Sequence, residues 1–567
     1  MNQHLLSIFI FLPFLLALIS LLIPGRKTQV HKILLISGTA LLFLLSLKIL
    51  LEFQMALPPD QSRMDFQLVE KVSWIRLSLG AFGTMAVDYY LGADGLNIAF
   101  IPLTGFLLFI AAIAAWSVKE KVKGFVLCYF LLAGSIAGCF LALDFFLFFI
   151  FFEFMLLPMF FLIGIWGGPG KEKAALKFFL YTLAGSVFIL MGMIALYMSC
   201  INPVETALNF GLIRPGDSLS SEVIFEIQQL LAGGSIPAEQ IVHTFSIPYL
   251  QDAGNLIPFS VLSFESAAGF TGLPLRNWCF VLLVLGFLIK LPAVPLHTWL
   301  PDAHVEAPTP VSMILAGLLL KIGAYGLFRI VLPVFPELFV EYAFPLALAG
   351  LVSIVYAALN ALGSTDLKRL IAYSSVSHMG FVLIGLAALT AEGLSGSLFQ
   401  CIAHGFISPF LFLIAGILYE RAGTRNRDDL AGLVSPMPGF TVFAMLGFFA
   451  ALGIPGFSVF IGEFLVLAGT FTSAGFNQLI PRWVAISASA GIFLSACYFL
   501  YTARKVFFGA FWIRNAPERG LTDLNGREFL LLTVLLLPTV LLGIFPGFLL
   551  QYLESAVSKL HQLVQGI

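Results

Sequence analysis

The sequence predicts an all-α polytopic membrane protein of about fourteen transmembrane helices, with two inverted five-helix repeats that each contain a broken helix. Three observations carry this expectation. Of 567 residues, 59% are hydrophobic and 11% charged, with a mean hydropathy of +0.99, whereas soluble domains are about a quarter charged. Apolar segments of the ~20 residues needed to cross a bilayer recur along the chain. Six ionisable residues lie deep in those segments, and two of the segments are interrupted by Gly and Pro.

The segments fall near residues 5–24, 33–51, 96–116, 124–143, 145–166, 178–199, 277–296, 311–331, 345–362, 370–389, 397–419, 439–471, 480–503 and 528–552. The opening MNQHLLSIFIFLPFLLALISLLIPGRK has no basic leader and no small-residue cleavage site, so it reads as a retained first span. In the seventh segment Lys290 follows Asn277 by 13 residues, ~20 Å along a helix. Pro292 and Pro295 then break the hydrogen-bond ladder beside that charge. The twelfth runs 33 residues, ~50 Å if straight, and contains GIPGF at 453–457. It too reads as a broken helix.

Lys and Arg in the loops set orientation. With residue 1 outside, the inner loops hold nineteen of them: Arg26, Lys27, Lys32, Lys119, Lys121, Lys123, Lys171, Lys173, Lys177, Lys368, Arg369, Arg421, Arg425, Arg427, Arg504, Lys505, Arg514, Arg519 and Arg527. The outer loops hold seven: Arg63, Lys71, Arg76, Arg214, Arg276, Arg482 and Lys559. Both termini are therefore expected outside. Two outer segments are long. Residues 52–95 could hold a hairpin; residues 200–276, with seven acids including Asp217 and Glu265 against two arginines, could hold a surface helix near 219–232.

Glu153, Lys290, Lys321, His378, His404 and Glu463 are the ionisable residues deep within spans. A charge at the bilayer centre costs roughly 2.5–3.5 kcal/mol even on the lenient insertion scale. Two acids and two lysines sum to zero, as a low-dielectric interior favours. Burial favours the neutral form of each group and an opposite charge the ionised form, so a moving neighbour can shift a proton. That is the requirement for a proton relay. The plainer alternative is a set of ion pairs fixing helix register, with neutral, hydrogen-bonded histidines. Lys48 and Arg329, near span ends, are expected to snorkel.

Shifting the span number by five maps span five onto ten and seven onto twelve. Glu153 then pairs with His378 and Lys290 with Glu463, and both broken helices occupy equivalent slots. An odd shift reverses topology, which makes spans 4–8 and 9–13 inverted repeats. The expected division is 1–117, three N-terminal spans; 118–331, the first half with outer insert 200–276; 332–510, the second half; and 511–567, the C-terminal span.

Other chemistry is not encoded. The six cysteines form no C-x-x-C, and there is no G-x-G-x-x-G unit or P-loop. His297, Asp302, His304 and Glu306 are potential ligands, but their Pro-interrupted spacing matches no zinc pattern. A net charge of −1 gives no reason to expect nucleic acid. Cys200 and Cys279 bracket the long outer insert and could pair if their Cα atoms lie within about 7 Å.

FFEFMLLPMFF at 151–161, KLPAVPLHTWLPDAHVEAPTPVSMILAG at 290–317, LLLKIGAYGL at 318–327, DLKRLIAYSSVSHMGFVLIG at 366–385, IAHG at 402–405 and FIGEF at 460–464 are specific motifs. Together they resemble the antiporter-like membrane subunits of proton-pumping respiratory complex I, NADH-quinone oxidoreductase, over roughly residues 85 to 510 apart from the insert. Glu463, where chains L and N and the multisubunit sodium/proton antiporters usually carry lysine, and the short tail point to the chain-M branch, the counterpart of mitochondrial subunit four.

The resemblance implies a proton-translocating subunit driven by redox chemistry elsewhere. It matches Glu153 to the essential acid of the fifth helix, Lys290 to the lysine of the broken seventh and Lys321 to that of the eighth. His378 and His404 match the central hydrophilic axis, and Glu463 the end of the broken twelfth helix. No cofactor is expected in this chain; flavin, iron–sulfur clusters and quinone belong to partner subunits, with chains L and N as neighbours. The expected location is a bacterial cytoplasmic membrane. The rival readings are a subunit of a cation/proton antiporter without a redox partner, and a passive scaffold.

Overall fold

The computed structural model describes residues 4–53, 66–214, 220–264, 266, 269–476, 478–514 and 521–566. Among them, twelve helices are long and apolar enough to cross a membrane. The chain is a mostly helical, multi-pass integral membrane protein. The twelve coincide with twelve of the fourteen expected segments. Of the other two, the twelfth is a pair of shorter helices, and the seventh, expected over 277–296, is one short helix followed past residue 296 by a second.

The seventh begins as Leu275–Lys290 and resumes as Trp299–Glu306. Lys290 is the last helical residue before the prolines, which cannot donate to the ladder. The twelfth is Pro438–Ala451 and then Ser458–Phe476. Gly453 and Gly456 between them take φ of +75° and +101°, a region open to glycine without a side-chain clash.

Polar side chains start several spans. Asp144 accepts Leu147 N–H at 3.0 Å and Asp366 accepts Arg369 N–H at 3.0 Å. Asn525 and Glu528 form a reciprocal capping box at Gly526–Ile544. Each satisfies a backbone donor that the first helical turn leaves free.

Burial separates lipid-facing helices from enclosed ones. The helices Leu5–Leu22, Thr28–Glu52 and Gly526–Ile544 expose large apolar side chains such as Leu18, Leu44 and Leu537. By contrast Thr309–Val334, Leu367–Ala388 and Ala391–Ala422 are almost wholly enclosed by protein. These three carry Lys321, His378 and His404, so the costly charges sit where other helices can solvate them.

One face carries the long insert. Strands β1 (Gln67–Ser78) and β2 (Thr84–Ala93) form the expected hairpin, and β3 (Val242–Thr244) adds parallel to β2. The expected surface helix is Ser221–Ala232, packed over a small core of Ile201, Ala207, Ile227 and Ile236. Arg76 clamps hairpin to insert, with Asp88 and Glu205 both at 2.6 Å. Both chain ends meet this face. Glu70 accepts Leu6 N–H at 2.7 Å, and Gly95 lies under Tyr552 and Ser555 of the C-terminal helix. The basic loops are on the opposite face, where Arg425 holds Asp366 at 2.6 Å and Arg421 holds Glu528 at 2.5 Å.

Three expectations need correction. The fourteenth span does not reach residue 552: it ends at Ile544, and a separate amphipathic helix, Gly547–Gln565, follows Pro546. Arg329 does not snorkel. It is buried in a two-point ion pair with Asp94 (2.7 and 2.5 Å), because Asp94 at the end of β2 reaches the flank of the eighth span. Cys200 and Cys279 are both buried free thiols, and Cys279 donates to Gly192 O. The loop residues Arg63, Asp217, Glu265 and Arg519 lie outside the described residues.

Candidate functional site

The eighth span is built to hold an amine. Its course is α-helical at Thr309–Ile314, π-helical at Leu315–Leu319, α-helical at Leu320–Gly326 and π-helical again at Leu327–Val331. Such turns widen the hydrogen-bond ring to i→i+5 and recur at functional sites. Lys321 Nζ bends back to donate to Ala316 O, five residues earlier, at 2.6 Å. On its other side it meets His404 Nδ1 at 2.5 Å.

From His404 the contacts continue into the second half. The His404 and His378 rings are 5.5 Å apart, centre to centre. His378 Nδ1 lies 3.2 Å from Glu463 Oε1 and 3.2 Å from Gln400 Nε2. Lys321, His404, His378 and Glu463 thus form one file from span eight through eleven and ten to the second half of the broken twelfth. All four are between 0% and 3% exposed. Glycine makes room at the end of the file: a Cβ on Gly453 would lie 2.6 Å from Glu463 Oε2.

The first half supplies the remaining two. Lys290 is buried at the break, with Nζ 4.8 Å over the Phe152 ring and no hydrogen-bond partner. Glu153, the next residue after Phe152, is only half-buried, and its Oε1 also lacks a partner. The two feel each other's charge but are not in contact: no ion pair within 4.0 Å joins them among the described residues. Glu153 stands at the edge of an apolar flank that includes exposed Phe154 and Leu157.

The seventh and eighth spans approach through Gly323. A Cβ there would sit 2.6 Å from Leu291 N and 2.9 Å from Phe287 O, so only glycine lets the eighth span press against the break beside Lys290.

Several members were not singled out as relay residues from sequence. Gln400 carried no signal, being one amide in an apolar helix. His304 was weighed only as a metal ligand. It is fully buried, stacked on Phe412 at 4.3 Å, with both ring nitrogens unpartnered. Lys368 was counted with the loops but is buried and donates to Ala307 O at 2.7 Å. Two of the four residues weighed as ligands do other work. Asp302 holds Lys177 (2.7 Å) and Arg369 (3.2 Å), and Glu306 accepts Gly170 N–H at 2.9 Å. No metal-binding group of three His, Cys, Asp or Glu occurs among the described residues.

Twelve crossing helices, two broken segments and a buried file of exchangeable groups define an antiporter-like membrane subunit. The chain belongs to the NADH:quinone oxidoreductase/Mrp antiporter transmembrane family, whose profile matches residues 142–225 and 244–490. It is 37% identical to NADH-quinone oxidoreductase subunit M of Rhodobacter capsulatus over 567 residues, covering 99% of this chain and 97% of that one. It is 38% identical over 505 residues to an NAD(P)H-quinone oxidoreductase chain 4 of Synechococcus sp. (strain JA-3-3Ab), covering 89% and 84%. A chain of respiratory complex I from Thermus thermophilus superposes with a TM-score of 0.75 at 27% identity, over 99% of both chains. A chain of the Mrp complex from Dietzia sp. shares the fold, with a TM-score of 0.75 at 20% identity.

Proposed function

We propose that this chain is the proton-translocating, chain-M-type membrane subunit of an NADH:quinone oxidoreductase, moving protons through Glu153, Lys290, Lys321, His404, His378 and Glu463. The observation that carries the reading is the buried file from Lys321 to Glu463. A lysine, two imidazoles and a carboxylate at hydrogen-bonding or ring-contact distances, sealed from lipid, can pass a proton with small displacements.

In this reading the chain crosses the membrane fourteen times, counting each broken segment once. Segments 4–8 (within 118–331) and 9–13 (within 332–510) are inverted repeats, flanked by 1–117 and 511–567. The insert face is the outer face of a bacterial inner membrane, so both termini are outside. Half-buried Glu153 faces a neighbouring antiporter-like chain, with chains L and N as the partners. Flavin, iron–sulfur clusters and quinone reside in other subunits.

The working step is a switch at Glu153. When a charge on the neighbour draws Glu153 away, Lys290 loses its counter-charge and gives up its proton. The proton reaches Lys321, passes along the histidines and leaves from Glu463. Bridging water completes the gap between Lys290 and Lys321. The test is proton-to-electron stoichiometry in vesicles holding the complex. Lys321→Ala that assembles yet pumps at the wild-type ratio would overturn the relay.

The shared fold supports one rival, a cation/proton antiporter subunit with no redox partner. An acid at position 463 and full-length likeness to quinone oxidoreductase subunits weigh against it. Co-purification with flavin- and iron–sulfur-bearing chains separates the two.

A further inference from the structure

A second polar line lies on the same helix as Lys321 and runs toward the insert face. Tyr325 and Arg329 follow Lys321 at i+4 and i+8, on nearly the same stripe. Tyr325 is fully buried; its hydroxyl donates to Phe140 O at 3.0 Å and accepts from Arg329 Nε at 2.9 Å. Arg329, 4% exposed, donates through Nη1 and Nη2 to the two carboxylate oxygens of Asp94. Asp94 is the more accessible member, its side chain 17% exposed. The insert latches on the same residue: Gln251 Nε2 donates to Arg329 O at 2.7 Å. A hydrogen-bonded line therefore joins the insert face to a phenol one helical turn from the central lysine.

This line has the shape of an exit but the wrong chemistry for one. A hydroxyl and a carboxylate can relay a proton; a guanidinium cannot, because it stays protonated throughout the accessible pH range. A fixed positive charge in a narrow polar passage also opposes the approach of another cation. Asp94 compensates the cost of burying that charge, and the two-point geometry fixes the guanidinium plane across the path.

We propose that the Arg329–Asp94 pair, steadied by Tyr325, is a seal that closes the direct route between Lys321 and the insert face. A proton on Lys321 then has one outlet, through His404, His378 and Glu463 in the second half. The seal also prevents protons from running back down the gradient onto Lys321 between turnovers. Arg329 acts here as a direction-setting residue, not as a carrier. The inference rests on the relay reading, since a seal matters only if Lys321 carries a proton.

The experiment uses the whole complex in vesicles, without NADH, with an imposed pH step and a potassium/valinomycin clamp; a trapped dye reports passive proton entry. Arg329→Gln is expected to raise the leak several-fold per complex, while Arg329→Lys, which keeps a cation in place, is expected to hold it near wild type. Combining Arg329→Gln with Lys321→Ala should return the leak to the wild-type level, because the unsealed route ends on Lys321. An unchanged leak in Arg329→Gln, or one that persists when Lys321 is also removed, overturns the proposal. If Arg329→Gln fails to assemble, Tyr325→Phe replaces it; it removes the hydroxyl on Nε at nearly constant volume and should give a smaller leak, also abolished by Lys321→Ala. No leak from an assembled Tyr325→Phe then overturns the seal. Failure of the underlying relay is read separately, in Lys321→Ala alone, as an unaltered proton-to-electron ratio during turnover.

Discussion

Lys321 Nζ lies 2.5 Å from His404 Nδ1, a contact between residues 83 positions apart in the chain. At that separation in a low-dielectric interior, the two cannot both be cationic without strong repulsion. In the proposed relay a single proton shared by the pair would set, by its position, which group is charged.

That pair makes the identity of the amine testable. Lys321→Ala should cut the proton-to-electron ratio, with the proton-transfer step slowed about 100-fold, the lower end of what a positioned acid or base contributes. Lys321→Arg should not restore pumping, because a guanidinium retains its proton. Potentiometric counting of protons per NADH in vesicles checks both. Full pumping with arginine would reduce Lys321 to a fixed charge.

Glu153 and Lys290 are close but unpaired, which suits a switch in its open position. Glu153→Gln and Lys290→Ala should each lower protons per electron while the complex still assembles, assessed by native gel and by NADH oxidation. A scaffold predicts the reverse pattern for the combined variant, with poor assembly but unchanged pumping in whatever complex forms.

Gly323 couples the seventh and eighth spans sterically. Gly323→Ala should destabilise the assembled complex by about 1–3 kcal/mol, the usual cost of overpacking, because the new methyl meets backbone atoms at 2.6 and 2.9 Å. Lower thermal stability in detergent, with pumping reduced more than NADH oxidation, is the expected outcome. A variant as stable and well coupled as the wild type would mean that the spans separate freely at the break.

On the insert face His243 gives a pH signature. Burial holds its imidazole below the usual histidine range, against partial compensation from Cys200 O at 3.2 Å. The neutral ring is favoured by the folded state. Its contribution to stability is complete above the unfolded value of about 6.5 and falls as pH drops through that value toward the lower folded one. The protection of β2 and β3 amides, corrected for their intrinsic exchange rates, should therefore fall more between pH 7 and pH 5 in the wild type than in His243→Asn. An equal fall in both would place the sensitivity elsewhere.

Much of this was legible in the chain itself. Segment lengths follow from the hydrocarbon thickness, and twelve of the fourteen expected segments appear as long helices. The breaks were readable because Pro292, Pro295 and the Gly453–Gly456 stretch restrict or free the backbone locally. The six intramembrane ionisable residues stood out because each is costly in an apolar run. Arg329 and Lys368 were misjudged for one reason: sequence gives depth along a span but not which neighbour covers it. Only the approach of Asp94 made Arg329 a buried pair, and only the packing of the Trp299–Glu306 segment enclosed Lys368.

The sequence by itself determined that the chain crosses a membrane, where two crossings fail to continue as helices, and which ionisable residues lie at depth within the spans, since those depend on local hydropathy and backbone restriction. Tertiary structure alone decided their order. Lys321, His404, His378 and Glu463 lie on four separate spans, and which of them touch depends on helix rotation and on close approaches such as that at Gly323. Those are non-local packing outcomes that no periodicity within one segment encodes.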